Sequence, residues 1–296
     1  MKKLAIILLI VGVVLAGVGV AYGAHWGMYA DASGFHVMPK SVTEVSQDVD
    51  SFNAINVDFG NQSIVVQQGD TYSVDCRYLL AAPNVSVDNG VLKVSSSDSN
   101  TWFNIGFWWP NETTTITVPN DVTLDYAQID NDNGSIDVAG LNVSTDYNVS
   151  NHNGSITSRG INVGGNINIK NENGSIYLDT NVCSENMKIQ NQNGSINMVD
   201  YCKAAQITVG NDNGSIVMNN ALGKINVSNH NGGITASIVN LSTDFYVNAT
   251  TQNGSVSMNG KRSGNAFMQG YPDNGNSFTA TNENGSIKLS DLVLQD

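Results

Sequence analysis

The sequence predicts an all-β protein: a right-handed β-solenoid of about 20 residues per coil, with an N-terminal β cap and one N-terminal transmembrane helix. Three observations support this fold class. Asparagine and glycine, which are poor helix formers and good turn formers, supply 41 and 29 of the 296 residues. A six-residue motif recurs through the second half of the chain. The chain also begins with a long run of uncharged residues.

The first 24 residues have the composition of a membrane segment. Two lysines follow Met1, and Leu4–Ala24 then contains 21 residues without a charge. As a helix this run is about 30 Å long, the thickness of a bilayer core. We predict that residues 1–24 are a single-pass anchor whose lysines stay in the cytoplasm, so that the β domain lies outside it. A signal peptide cleaved after Gly23 is the alternative.

The motif Asn-x-Asn-Gly-Ser-Ile and its variants dominate the chain from residue 121 onward. The intervals between successive motif glycines are 20, 20, 20, 20, 18, 22 and 31 residues. These equal spacings predict a tandem repeat of one structural unit. The motif glycines are Gly134, Gly154, Gly174, Gly194, Gly214, Gly232, Gly254 and Gly285.

Apolar residues alternate with polar ones on both sides of each motif glycine. In one repeat, Ile167 and Ile169 precede Gly174, and Ile176 and Leu178 follow it. Period-two alternation predicts two short strands with one buried face. Because every repeat has the same residues at the same offsets, we predict a winding coil of three short sides, with copies stacked about 4.8 Å apart. Right-handed winding is expected for parallel crossovers. An open meander of hairpins is the alternative.

The asparagine three residues before the glycine lies two residues after a buried apolar position, so its side chain should face the same side of the strand, toward the core. A buried amide is unfavourable unless it is hydrogen-bonded. We therefore predict a structural ladder in which each side-chain amide bonds the next copy. The ladder consists of Asn131, Asn151, Asn171, Asn191, Asn211, Asn229 and Asn282.

The residue two before the glycine varies from repeat to repeat, and no two acidic residues are consecutive there. Adjacent exposed acids in a stack would repel each other by roughly 1 kcal/mol. The pattern therefore indicates a solvent-facing column. In chain order it reads Asp132, His152, Glu172, Gln192, Asp212, His230, Gln252 and Glu283.

The chain divides into four predicted regions. These are the membrane segment 1–24, a juxtamembrane spacer 25–48, an N-terminal β cap 49–120 and the solenoid 121–296. The cap region contains a weaker motif copy at Gly60–Ile64, a hairpin pattern at Val85–Val94 and a strand at Thr113–Val118. A cap is needed because an open first coil would expose unpaired strand edges.

Three stretches of sequence resemble one known family. They are "SFNAINVDFGNQSIVV", "ITVPNDVTLDYAQIDNDNGSID" and the repeated "NENGSI". These resemble the DUF4097 family, prokaryotic envelope proteins described as candidate adhesins with a β-solenoid fold, over about residues 49–296. The resemblance implies a surface role and brings no catalytic residues and no ligand.

An aromatic cluster is the candidate binding site. It consists of Trp102, Phe103, Phe107, Trp108 and Trp109. One interpretation has these side chains covering the core of the cap. The other has an exposed loop that contacts glycan, lipid headgroups or a protein, because large apolar surface patches mark contact sites.

Composition restricts the chemistry that the chain can perform. The net charge of −13 is unfavourable for nucleic acid, which attracts basic proteins. No Ser-His-Asp or metal-binding spacing is present, and His152 and His230 occupy variable corner positions, so we expect no cofactor and no metal. Cys183 and Cys202 are nearly one coil apart, which leaves both a disulfide and free thiols open.

The sequence therefore predicts a non-enzymatic, membrane-anchored surface protein that acts as an adhesin or structural element. Its partners would be the membrane, through residues 4–24, and an unknown glycan or protein ligand. An envelope-associated sensor or accessory protein that acts through the aromatic cluster is the alternative. A polysaccharide-active β-helix enzyme is a third possibility.

Overall fold

A computed structural model describes residues 2–21, 27–39, 41–96, 103–106, 111–239, 245–272 and 275–292. The helix α1 spans Lys2–Ala21, and almost all other regular structure in these ranges is β-strand. Within them, no helix combines the length and apolar character needed to cross a membrane. The predicted transmembrane helix is therefore not supported.

In the described residues, eleven strands precede the first intact motif. They are β1 Gly27–Asp31, β2 Gly34–Val37, β3 Thr43–Asp48, β4 Ala54–Asn61, β5 Ser63–Gly69, β6 Ser73–Tyr78, β7 Asn84–Asp88, β8 Val91–Ser95, β9 Phe103–Gly106, β10 Thr113–Pro119 and β11 Thr123–Leu124.

The repeat region holds the remaining described strands. The first ten are β12 Ala127–Asn133, β13 Ile136–Ala139, β14 Asn142–Val143, β15 Tyr147–Asn153, β16 Ile156–Arg159, β17 Asn162–Val163, β18 Ile167–Asn173, β19 Ile176–Asp179, β20 Val182–Cys183 and β21 Asn186–Asn193. They are followed by β22 Ile196–Val199, β23 Cys202–Asn213, β24 Ile216–Asn231, β25 Ile234–Val239, β26 Tyr246–Asn253, β27 Val256–Met258, β28 Lys261–Arg262, β29 Ala266–Gln269, β30 Ser277–Asn284 and β31 Ile287–Leu292.

Each regular coil has three short sides, as the repeat predicts. One coil consists of β15, β16 and β17, and each of these strands pairs in parallel with its counterpart in the neighbouring coils. Asn151 lies opposite Asn131 on one side and Asn171 on the other. The parallel register confirms the solenoid-like winding, and the open hairpin meander is wrong.

The alternating apolar residues form the continuous core of the solenoid. Tyr147, Ile156 and Ile167 are fully buried, and their equivalents in other coils are buried with them. Because each coil adds the same inward side chains, the core extends along the stack as equivalent apolar residues pack on one another.

The weaker motif copy in the first half forms a coil of its own. Strands β4 and β5 stack in parallel on β12 and β13, with Asn61 opposite Asn133 and Ile64 opposite Ile136. On the other side, β8 pairs with β4 and β10 pairs with β5. β7 then pairs antiparallel with β8, and β6 pairs antiparallel with β10. The edge of the first coil is therefore covered, as a cap requires.

The segment predicted as a spacer contains strands. β1 and β2 form an antiparallel hairpin, and β9 pairs with β1 to complete a small three-stranded sheet. β3 pairs with β6 and belongs to the large sheet. The described residues 27–39 and 41–48 of this segment therefore contain paired strands. The four predicted region boundaries stay predictions.

The last two motif copies do not stack in chain order. β30 lies between β24 and β26, and β31 lies between β25 and β27. The expectation that each copy rests on the preceding one is wrong at this end. The reason is that β29 folds back antiparallel onto the outer edge of β26. The final coil therefore pairs with the inner edge of β26, and the 31-residue interval provides the extra chain.

Two asparagine ladders run along the stack, one buried and one exposed, and their hydrogen bonds have different acceptors. The buried Asn151 donates from Nδ2 to the carbonyl oxygen of Gly134 at 2.9 Å. The amide-to-amide bonds belong to the exposed asparagine before the glycine, for example Asn153 Nδ2 to Asn133 Oδ1 at 2.8 Å. Each buried amide of the ladder donates to the corner carbonyl of the adjacent coil, an acceptor that the sequence pattern did not specify.

The buried Asn side chain should be replaceable only by a group that can still donate to this carbonyl. Thr251 occupies the same position in one coil and donates from Oγ1 to the carbonyl oxygen of Gly285 at 2.8 Å. We expect Asn191→Val to destabilise the fold by about 2 kcal/mol, because the carbonyl of Gly174 loses its side-chain donor. Urea unfolding measures this, with Asn191→Thr as the control that loses less. Equal losses for the two variants would contradict this role of the ladder.

Candidate functional site

The structure places one residue of the predicted aromatic site and leaves the others undescribed. Phe103 begins β9 and lies opposite Ala30 of β1. Trp102, Phe107, Trp108 and Trp109 lie outside the described residues. Their binding role stays a prediction.

One face of the hairpin formed by β1 and β2 exposes apolar side chains. Its cross-strand rows join Phe35 with Ala30 and Phe103, and join Val37 with Met28. Phe35 and Val37 are 67% and 70% exposed, and Met28 is 45% exposed. Phe103 is therefore in register with a hairpin that exposes apolar side chains, in a sheet separate from the large sheet of the solenoid.

A Ser-His-Asp cluster occurs in the β1–β2 hairpin, but its geometry does not match a catalytic triad. Ser33 Oγ lies 2.9 Å from His36 Nε2, and Asp31 Oδ1 lies 3.0 Å from the same nitrogen. A triad needs the carboxylate on Nδ1, so that Nε2 is left to take the proton of the serine. Hydrogen bonds from the Ser33 hydroxyl and backbone N–H lower the pKa of Asp31 to about 2. The cluster is a turn stabilised by a carboxylate acceptor.

No metal-binding group was found in the part of the chain that the structure describes. Three or more His, Cys, Asp or Glu side chains do not come close enough there to hold an ion.

The three cysteines are free and buried. Val182 pairs with Lys203, which places Cys202 across from Asn181 rather than Cys183. Desolvation by burial raises the pKa of both Cys183 and Cys202 to about 11. Neither thiol is therefore an activated nucleophile, because the thiolate is the reactive form.

Alkylation should show this directly. We expect iodoacetamide at neutral pH to leave Cys183 and Cys202 unmodified in the folded protein and to modify both after denaturation without reductant. Mass spectrometry of the intact chain measures the number of added groups. A chain that takes up the label at these two positions only after reduction would show that they form a disulfide.

The variable corner residues form one exposed column, which we call the turn column. Its order in space differs from its order in the sequence because β30 precedes β26 in the stack. In space it reads Asp132, His152, Glu172, Gln192, Asp212, His230, Glu283 and Gln252. The pattern Asp-His-Glu-Gln therefore occurs twice in succession.

Each histidine of the turn column is paired with the glutamate of the next coil. His152 Nδ1 lies 3.0 Å from Glu172 Oε2, and His230 Nδ1 lies 2.9 Å from Glu283 Oε2. Lys170 Nζ also reaches Glu172 at 3.6 Å. Adjacent acids are still avoided in the spatial order, so the solvent-facing column holds together without like-charge contacts.

A groove of about 620 Å³ lies beside the turn column. Its other wall is formed by the residues that lie four positions before the motif glycines. We call this row of residues the strand column. Within the groove the strand column consists of Lys170, Gln190, Gly210, Ser228, Thr281 and Thr250. The buried ladder lies between the two columns, because the residues before and after each buried asparagine both face outward.

Sequence reasoning missed this groove as a candidate site. The small residues at Gly210 and Ser228 were a visible signal, since the same offset carries Lys170 and Gln190 in earlier repeats. The neighbours of His230 were not visible, because chain order puts Gln252 after it where the structure puts Glu283.

Comparison with known proteins identifies the family. The Toastrack DUF4097 family matches residues 52–291. Two solved structures of candidate adhesins are similar. The one from Bacteroides fragilis is 15% identical with a TM-score of 0.41, over 86% of this chain and 98% of that one. The one from Parabacteroides merdae is 11% identical with a TM-score of 0.42, over 85% and 96%.

A further similar structure is described as a candidate lipid-binding protein from Parabacteroides distasonis. It is 11% identical with a TM-score of 0.33, over 85% of this chain and 97% of that one. No curated protein matches the sequence. The match to the family model covers most of the chain, and the chain belongs to the Toastrack DUF4097 family.

Proposed function

We propose that this protein is a non-enzymatic surface protein of the cell envelope that binds a glycan or protein ligand through the side-chain columns of its solenoid. The observation that carries the proposal is the turn column, where one outward side chain per coil is held in register over eight coils. Such a surface is rigid and extended, which suits contact with a long ligand.

The chemistry of the described residues supports binding rather than turnover. The Ser33–His36–Asp31 cluster has the wrong hydrogen-bond arrangement for nucleophilic catalysis. Cys183 and Cys202 are buried with raised pKa values. We also propose that the β domain lies outside the cytoplasm. This part of the proposal rests on the sequence of residues 1–24, in which two lysines precede a run of uncharged residues.

Retention of the protein by envelope material tests this function. The labelled full-length chain is incubated with intact cells and with envelope fractions, and bound label is measured against concentration. Saturable retention is the expected result, with no release of reducing sugar ends over the same period. Absence of retention would contradict the proposal, and steady release of sugar ends would favour a polysaccharide-active enzyme instead.

One observation favours the accessory-protein alternative. The small sheet exposes Phe35 and Val37 on the face that also carries the Phe103 position. In that function a partner protein contacts this sheet and the aromatic segment. Deletion of residues 101–110 would then abolish retention by envelope fractions, whereas binding through the columns predicts that the deletion leaves it intact.

A further inference from the structure

The groove beside the turn column is long and regular. It extends over six stacked coils, from Asn171 to Thr251. Five intervals of about 4.8 Å make it roughly 24 Å long. Each coil contributes one residue to the strand-column wall, and every coil except the first contributes one to the turn-column wall, so polar contacts repeat along the axis. A groove with repeating contacts suits a ligand that is itself a linear repeat.

Small side chains open the middle of the groove. Gly210 and Ser228 stand where Lys170 and Gln190 stand in the earlier coils. A Cβ added at Gly210 would meet only Ser228 Oγ, at 3.5 Å, which is ordinary van der Waals contact. The space above Gly210 is therefore accessible, and its backbone does not require glycine. The groove volume of about 620 Å³ lies in the range of small-ligand sites.

The walls exclude several classes of ligand. The lining side chains are amides, hydroxyls, carboxylates, one lysine and one histidine, with no aromatic or large aliphatic group among them, so an apolar ligand gains little there. The backbones of these strands pair with the adjoining coils on both sides, so a peptide cannot add as a further strand. Asp212 and Glu283 disfavour a polyanion, while Lys170 offsets part of the attraction for a polycation.

The remaining chemistry matches hydroxyl groups. Carboxylates accept hydrogen bonds, and the amides and hydroxyls of Gln190, Gln252 and Thr281 both donate and accept them. Glu283 fixes the ring of His230 through the 2.9 Å contact to Nδ1. In the neutral ring this contact leaves Nε2 as an acceptor. Closely spaced donors and acceptors without a dominant charge are suited to a polyhydroxylated, uncharged ligand.

We propose that this groove binds a neutral, linear oligosaccharide laid along the solenoid axis. The inference rests on the proposed function and gives it a ligand class and a site. The middle subsite lies over Gly210 and Ser228, with Asp212, His230 and Glu283 along one side. Because Glu283 enters the stack with β30, this side is complete only when the C-terminal strands are in place.

Filling the groove tests the proposal. The full-length protein is titrated calorimetrically with neutral glucan, mannan and chitin oligosaccharides, with oligogalacturonate as the anionic probe and chitosan oligosaccharide as the cationic one. The double variant G210Q/S228Q places at the centre the side chain that Gln190 already supplies at this offset. Its matched control is S150Q, a substitution at the same offset outside the groove, and circular dichroism checks that each variant is folded.

We expect at least one neutral oligosaccharide to bind saturably, and G210Q/S228Q to weaken that binding at least about tenfold. S150Q should leave the dissociation constant unchanged, and D212N should weaken binding by removing a carboxylate acceptor. Binding of charged probes alone, binding of none, or equal affinity for the wild type and the double variant would each overturn the proposal. If retention by envelope fractions persists in those cases, the proposed function stands and only the groove assignment fails.

Discussion

The Gly194→Ala variant should lose about 3 kcal/mol of folding free energy. Gly194 has a φ of 126°, in the region that favours glycine, and an added Cβ would overlap the backbone carbonyl of Gly174 in the coil below. That carbonyl cannot move away freely, because it accepts a 3.0 Å hydrogen bond from Asn191 Nδ2. The substitution therefore forces either a strained backbone or a separation of the two coils.

Gly210→Ala is the matched control for this prediction. Gly210 belongs to the strand column of the next coil rather than to the corner, has no positive φ, and would bring its Cβ only to van der Waals distance of Ser228. Both variants are compared with the wild type by urea denaturation and by thermal melting. A change at Gly194 no larger than that at Gly210 would show that the corner glycine is not required by the stacking.

Removal of residues 277–296 should unfold the coil that contains β26 and β27. The deletion takes away β30 and β31, whose buried Phe278, Ala280, Ile287 and Leu289 fill this end of the core. Burial of each large apolar side chain stabilises a fold by about 1.5–3 kcal/mol, so together these side chains contribute more than about 3 kcal/mol to the stability of this coil. Amide exchange in residues 246–258 should therefore rise more than about a hundredfold in the truncated chain. Hydrogen exchange with mass spectrometry measures the rates, with residues 147–178 as the internal reference.

Engineered disulfides give an independent check of the strand order. Ser228 lies opposite Thr281, and Thr281 lies opposite Thr250. The pair S228C/T281C should oxidise readily, because adjacent strands bring Cα atoms within disulfide range. S228C/T250C should stay reduced, since β30 lies between the two positions. Oxidation of S228C/T250C and not of S228C/T281C would show that the copies stack in chain order. Slow amide exchange of residues 246–258 in the truncated chain would support the same conclusion.

Much of the fold followed from local pattern. The alternation around Gly174 predicted the two strands β18 and β19, and the 20-residue interval predicted that they stack in register. The hairpin around Asn89 and Gly90 was also readable, and both residues have positive φ. These features depend on near-neighbour sterics and on which side chains must be buried, and both are properties of a short stretch of sequence.

The candidate site was less accessible to such reasoning. The aromatic cluster was found by composition, and its pairing partner β1 was not, because an antiparallel contact between residues 27–30 and 103–106 leaves no periodic signal. The buried Asn151 was recognised as a ladder residue, but the sequence pattern did not identify its acceptor, the carbonyl oxygen of Gly134. The distance to the corner carbonyl of the previous coil depends on how the backbone bends at the glycine, which the residue pattern does not specify.

The sequence by itself determined the length of a coil, the buried positions, the glycine corners and the family. The tertiary structure alone decided that the C-terminal coil enters between two earlier ones, and with it that His230 lies beside Glu283. The physical reason is that every coil presents nearly the same edge, so local sequence cannot choose which copies adjoin. That choice was made by the antiparallel strand β29, which occupies the outer edge of β26 and leaves the inner edge to β30.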